Sequence, residues 1–296
     1  MSTIRRQRTA AAVFIVPFFV LFLALMVAPI LYAAWTSLFR EQSGGLGFGG
    51  TERRFVGLGN YTRALTDQAF QGGFGHLALY CALYIPVMIG GAMVLALLLD
   101  GTLVRAKRFF QLAFFLPHAV PSVIAAIVWV YLYTPGLSPV LQVLNAGGAD
   151  VDLFGKSLTI PALVNVTAWQ WIGYNMIIFY AALLAIPREL LEAATVDGAG
   201  EVRTALRVKI PMIRSAIVMT MLFTIIGSIQ LFTEPTVMLG RSDGVNAEWS
   251  PTMFIYSAAS QRHDDGLASA ASLLVGLLAG GLSFAVTRLG NRRRSA

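Results

Sequence analysis

Three histidines, one cysteine and a thin scatter of carboxylates leave little from which a catalytic centre can be assembled. His76, His118 and His263 fall on different segments, so no Ser/His/Asp set, HExxH helix or Cys/His metal cluster forms from them. Cys81 stands alone within an apolar run, which excludes an internal disulfide and leaves packing as its role. Gly155-Lys156-Ser157 looks like the end of a phosphate-binding loop, but that motif requires glycine five residues earlier, where this chain has Asp150. Asn60-Tyr61-Thr62 matches a glycosylation acceptor, a pattern frequent by chance. His118, next to Pro117, reads as a neutral histidine hydrogen-bonded to a neighbouring helix. The side chains with binding chemistry are instead aromatic and amide-bearing. Trp169, Gly173, Met176 and Tyr180 recur at i, i+4, i+7 and i+11, sharing one helical face with Gln170 and Tyr174 beside it. Gly227, Gln230 or Leu231, and Glu234 recur similarly, with Ser228 adjacent. Such residues either bridge packed helices or offer ring faces and hydrogen-bonding groups to a polar ligand.

The elements that must position them are membrane helices. Of the 296 residues, 56% are apolar and 12% charged, about half the charged fraction of an ordinary soluble domain. Nearly charge-free runs extend over 10–38, 77–99, 109–133, 158–186, 215–233 and 267–287, each near the roughly 20 residues that cross a bilayer. The expected fold is therefore an all-α integral membrane protein with six transmembrane helices. The first run follows Arg5, Arg6 and Arg8 as a signal peptide would, but it is about twice the usual apolar length and lacks a small-residue cleavage site. It reads as an uncleaved first helix. Pro17, Pro29, Pro86 and Pro121, with Gly276 and Gly280 in a GxxxG pair, suit kinked and closely packed spans.

Six spans place both termini on one side, and the distribution of basic residues says which. Fifteen of the 22 Lys and Arg residues fall with the tails, with Arg105, Lys107 and Arg108, and with the segment Arg188 to Arg214; the other seven lie on the opposite face. The basic face, with both termini, is expected in the cytoplasm. With no polar domain to carry a basic groove, the net charge of +7 belongs to membrane edges rather than to nucleic acid. The expected layout is a cytoplasmic tail at 1–9, a six-helix transmembrane domain at 10–288 and a basic cytoplasmic tail at 289–296. Outer loops fall at 39–76 and 234–266, with a cytoplasmic loop at 187–214. This division leaves no Asp, Glu, Lys or Arg inside a span, so a self-sufficient ion-coupled carrier or channel lacks the intramembrane ionisable site it would need. Energy for any transport then enters from another protein.

The loop 187–214 carries the strongest motif. Pro187 suits the first turn of a helix over 188–196, Gly198 supplies a left-handed stop, and a second short helix over 199–208 precedes Pro211. Two helices turning at a glycine form a compact knob. Glu192-Ala193-Ala194, three residues, Gly198, nine residues, then Val208-Lys209-Ile210-Pro211 resembles the EAA loop of ATP-binding cassette importer permeases, with Val208 and Ile210 in place of the usual Ile and Leu. Further matches are Phe55-Val56-Gly57-Leu58-Gly59-Asn60-Tyr61, Phe115-Leu116-Pro117-His118-Ala119-Val120-Pro121 and Ile186-Pro187-Arg188-Glu189-Leu190. These are similar to the carbohydrate-importer branch, which includes the MalF-type maltose permease. Leu239-Gly240-Arg241-Ser242-Asp243 departs from the Gly-rich turn of many relatives.

The resemblance implies a type I importer permease fold and a heteromer. Its other members would be a second six-helix permease, two cytoplasmic ATPases holding ATP and magnesium, and an extracytoplasmic sugar-binding protein; this chain would bind no cofactor itself. It implies that Glu192, Ala193, Ala194, Asp197, Gly198, Ala199 and Pro211 form the surface that docks on an ATPase. It also implies a sugar site in the stretches 169–176 and 227–231, here Trp169, Gly173, Tyr174, Met176, Gly227, Ser228, Gln230 and Leu231. Ring stacking and hydroxyl hydrogen bonding are the chemistry such residues would supply. The expected function is import of a carbohydrate of di- or oligosaccharide size through the bacterial inner membrane.

Overall fold

A computed structural model describes residues 13–43, 51–101, 104–147 and 151–292. The expected 1–9 tail and residues 293–296 lie outside the described residues. Apart from one hairpin, the described elements are helices, the form in which an apolar run satisfies its backbone without water. They are α1 (Val13–Thr36), β1 (Phe39–Ser43), β2 (Thr51–Phe55), α2 (Gly59–Thr66), α3 (Gln68–Asp100), α4 (Lys107–Phe115), α5 (Ser122–Tyr133), α6 (Pro139–Ala146), α7 (Thr159–Leu184), α8 (Arg188–Val196) and α9 (Glu201–Thr204). α9 runs on through a π turn at Ala205–Lys209, and α10 (Arg214–Ile229), α11 (Thr233–Met238), α12 (Pro251–Ser260) and α13 (Asp265–Arg292) complete the chain.

Among the described residues four helical runs are long and apolar enough to cross a membrane: α1, α3, Arg214–Met238 and α13 as far as Arg288. The expected fourth span, α7, has 26 residues but is not among them, since Asn165, Gln170 and Asn175 dilute its apolar character. The expected third span is not a continuous helix. α4 passes into a 3-10 turn at Leu116–Ala119, and α5 leaves at 97° to that run. Pro121 forces the break: the residue before a proline is driven out of the helical region, and Val120 sits at ψ 128°. Pro86, by contrast, is carried inside α3 without a break.

The chain forms two compact units, residues 1–68 with 255–276 and residues 69–254 with 277–296. In the first, β1 and β2 pair antiparallel with Phe39 opposite Phe55, so the stretch expected as outer loop is partly a hairpin. Asn60, the sequon residue, is fully buried there and donates to the carbonyls of Ser37 and Phe39 at 2.8 Å. Gly266 meets the same Phe39 carbonyl so closely that a Cβ would collide with it. Arg63 pairs with Asp264 at 2.8 Å.

In the second unit α3 packs along α7. Ala92, Met93, Ala96 and Leu99 close on Met176, Phe179 and Leu183, with Ile186 and Ile213 completing the core. Small residues on α3 and large ones on α7 allow this close approach. Polar ties cross the same unit: Tyr80 donates to Thr167 Oγ1 at 2.8 Å, and Asn165 Nδ2 to the Tyr133 hydroxyl at 2.8 Å. The sequence 239–244 also belongs to this unit. Ser242 Oγ donates to the Phe154 carbonyl at 2.7 Å and lies 2.8 Å from Thr159 Oγ1, while Gly240 turns at φ +76°.

Candidate functional site

The break before α5 creates the site. It frees the Val120 carbonyl, and Gln170 Nε2 on α7 donates to it at 2.8 Å, fixing the broken helix to α7. A second gap follows α10, where the helix stops at Ile229 and restarts as α11. Between the two interruptions lies a cavity of about 230 Å³. Tyr84, Ser122, Thr167, Trp171, Tyr174 and Asn175 line one part of it, and residues from Phe223 to Glu234 the other.

Its polar groups are largely uncommitted. The Trp171 indole N–H, the Tyr84 and Tyr174 hydroxyls and the Gln230 carboxamide make no hydrogen bond among the described residues. Asn175 donates Nδ2 to the Trp171 carbonyl at 2.9 Å and leaves Oδ1 without a partner. Thr224 and Ser228 turn their hydroxyl protons back onto their own helix, to the carbonyls of Thr220 and Thr224, each at 2.8 Å. Their oxygens remain as acceptors. His118, whose ring centroid lies 4.6 Å from each, stacks on Tyr174 and makes a T-shaped contact with Trp171.

The expected site residues divide. Tyr174, Gly227, Ser228, Gln230 and Leu231 line the cavity. Trp169, Gly173 and Met176 do not. Trp169 packs edge-on against Trp129 at 5.8 Å, and Met176 is fully buried in the α3–α7 core. Beside Gly173 the space is filled by the chain itself, because a Cβ there would stand 1.8 Å from the Phe114 carbonyl oxygen. Sequence reasoning missed Trp171, Thr167 and Asn175, which with Tyr174 form the polar and aromatic stripe at i, i+4, i+7 and i+8 that faces the cavity.

Two further expectations change. His118 Nδ1 is buried without a hydrogen-bond partner among the described residues, so aromatic contact rather than a bond to a neighbouring helix holds this ring. Glu234, assigned by sequence to the outer loop, lies in the cavity wall at 7% exposure and within the run Arg214–Met238. The sequence noted its helical spacing from Gly227 but set it one residue beyond the apolar run 215–233. A three-residue interruption, Gln230 to Phe232, separates the apolar helix from α11.

The knob is built as its glycine requires. The Ala199 N–H reaches the Ala194 carbonyl at 2.9 Å and the Gly198 N–H the Thr195 carbonyl at 3.0 Å, with Gly198 at φ +74°. This is a Schellman stop. A shallow groove between α8 and the run through Met212 is lined by Leu190, Ala193, Ala194, Asp197, Arg207, Val208, Pro211 and Met212. Glu192 and Gly198 are exposed beside it, and Ala199 is half-buried. Lys209 forms an ion pair with Asp100 at the end of α3, which ties the knob to a long helix. The sequence held this pair only as two charges on the basic face.

Residues 92–295 match the family of binding-protein-dependent transport system inner membrane components, and the chain belongs to that family. It is a membrane-embedded permease subunit of an ABC importer, a family in which the ATPase resides in separate subunits. Among its relatives, the probable ABC transporter permease protein YurN of Bacillus subtilis is 29% identical over 92% of each chain. The diacetylchitobiose uptake permease NgcF of Streptomyces coelicolor is 27% identical over 93% of this chain and 83% of its own. The sn-glycerol-3-phosphate permease UgpA of Salmonella choleraesuis is 32% identical over 72% of each. A crystal structure of a bacterial ABC transporter that imports alginate superposes with TM-score 0.83 at 19% identity, over 98% of each chain, a likeness of fold.

Proposed function

We propose that this subunit passes a carbohydrate of di- or oligosaccharide size from an extracytoplasmic binding protein to the cytoplasm, and that the α7–α10–α11 cavity is its half of the passage. The observation that carries this reading is the lining: ring faces of Trp171 and Tyr174 beside unpaired amides and hydroxyls, the groups that match a sugar ring and its hydroxyls. Relatives named for diacetylchitobiose and trehalose support it. At about 230 Å³ the cavity falls below the roughly 300–1,000 Å³ of complete ligand pockets, which fits a site finished by a second permease. In the same reading Glu192, Ala193, Ala194, Asp197, Gly198, Ala199 and Pro211 meet one of two ATPases that hold ATP and magnesium. In this reading the six apolar runs are the spans, and the basic-residue asymmetry supports cytoplasmic termini.

Cysteine accessibility tests passage and sidedness together. With Cys81→Ser as background, Gln230→Cys labelled by a bulky maleimide should lose uptake, and saturating sugar should slow the labelling. Thr195→Cys in intact cells should react only with reagents that enter the cell. Undiminished uptake after complete labelling of Gln230→Cys would remove the cavity from the route. Labelling of Thr195→Cys by an impermeant reagent would invert the topology.

A further inference from the structure

Glu234 is a carboxylate where a hydroxyl-binding wall needs none. It is 7% exposed, lines the cavity and makes no ion pair among the described residues, whose acid–base pairs lie elsewhere at Glu41–Arg53, Asp264–Arg63, Asp100–Lys209 and Asp67–Arg262. No Lys, Arg or His lines the cavity among the described residues. An acid buried without a counter-charge is costly and persists where it serves a ligand or a pathway. We propose that Glu234 sets the charge class of the cargo: neutral and amino-bearing sugars are admitted, and anionic ones such as uronates and sugar phosphates are rejected.

The inference rests on the reading of this cavity as the sugar passage and deepens it. A carboxylate accepts hydrogen bonds from sugar hydroxyls and pairs with a sugar ammonium, each stronger than a bond between neutral groups. A second negative charge a few Å away meets repulsion from the buried carboxylate that no lining cation among the described residues offsets. Discrimination is thereby built from a repulsive element as well as an attractive one. The neutral isostere Gln at 234 would preserve shape and hydrogen bonding while removing that element.

The test is direct binding to the assembled permease–ATPase complex without its binding protein, so that selection by that protein does not enter. Glucose, glucosamine and glucuronate, identical in ring and different in charge, are titrated at neutral pH by saturation-transfer NMR. In the wild type glucuronate should bind roughly tenfold more weakly than glucosamine or worse, with glucose between them. Glu234→Gln should shrink the glucosamine-to-glucuronate ratio to within about twofold, and Glu234→Asp should keep the wild-type order. Equal binding of glucuronate and glucosamine to the wild type overturns the inference without any variant. An undiminished ratio in an assembled Glu234→Gln complex overturns it too, leaving the sugar site standing. Binding of none of the three to the wild type overturns the inference, while the di- or oligosaccharide passage itself stands or falls with uptake by labelled Gln230→Cys.

Discussion

Replacing Gly173 by alanine should deplete the folded permease, and by leucine abolish it. The Cβ of any residue there would stand 1.8 Å from the Phe114 carbonyl oxygen and 2.3 Å from its carbon. Those are backbone atoms of α4, in its last turn before the 3-10 segment, and they do not rotate away as a side-chain tip would. Relief requires α4 and α7 to separate. That would pull Gln170 from the Val120 carbonyl and open the break that shapes the cavity. Overpacking of a close-packed interior costs about 1–3 kcal/mol, and a clash with main chain exceeds that range. Membrane yield and co-purification with the ATPases should fall at least severalfold for Gly173→Ala. Alanine separates the two roles a glycine here can have, since a methyl group is too small to obstruct a sugar. Normal assembly and uptake in Gly173→Ala, with uptake lost only in an assembled Gly173→Leu, would mean that Gly173 clears the passage instead.

The second large effect is expected at the knob, through a backbone angle alone. Nothing lies within 4 Å of a Cβ at Gly198, so a substitution there meets no steric barrier from its surroundings. Its φ of +74° is the obstacle. A β-branched residue in the left-handed region costs on the order of 1–3 kcal/mol, enough to undo the stop formed by the Gly198 and Ala199 N–H groups. α8 and the run toward Met212 would then meet at a different angle, and the groove between them would lose its shape. Gly198→Val should retain spans and membrane yield while uptake falls about tenfold. Gly198→Asn, which tolerates the left-handed region, should recover most of it. ATP hydrolysis and uptake measured at matched ATPase content decide the matter. Equal activity in the valine and asparagine variants would show that the left-handed turn is dispensable.

What the sequence made legible was linear. Membrane residence followed from composition, and the knob from residues that are contiguous and held by a local turn, so Gly198 was readable as a helix stop before its φ was known. The cavity was not linear. On α7 two stripes differ by two residues: Trp169, Gly173 and Met176 on one, Thr167, Trp171, Tyr174 and Asn175 on the other. Both carry a tryptophan at suitable spacing, and what selects the second is which side of α7 meets α3 and the broken α4–α5 run. That is a tertiary choice. A small residue and a flexible apolar one, Gly173 and Met176, serve equally to line a passage or to let helices approach, and here they do the latter. The cavity position of Glu234 was hidden for a related reason: a hydropathy boundary ends where charge begins, whereas the chain resumes as α11 after a short gap.

The most direct test of the account compares the two tryptophans in one assay. The importer, reconstituted in proteoliposomes with its ATPases and sugar-loaded binding protein, is assayed for ATP-driven sugar uptake with Trp171→Ala or Trp169→Ala at matched assembly. Trp171 faces the cavity, and Trp169 rests on Trp129 outside it. Loss of a stacking ring at Trp171 should reduce uptake about tenfold or more without loss of assembly. Trp169→Ala should leave uptake per assembled complex within about twofold and lower yield through lost packing instead. The reverse pattern, with Trp169→Ala stopping transport in intact complexes and Trp171→Ala importing normally, would place the passage on the other stripe of α7 and contradict the account.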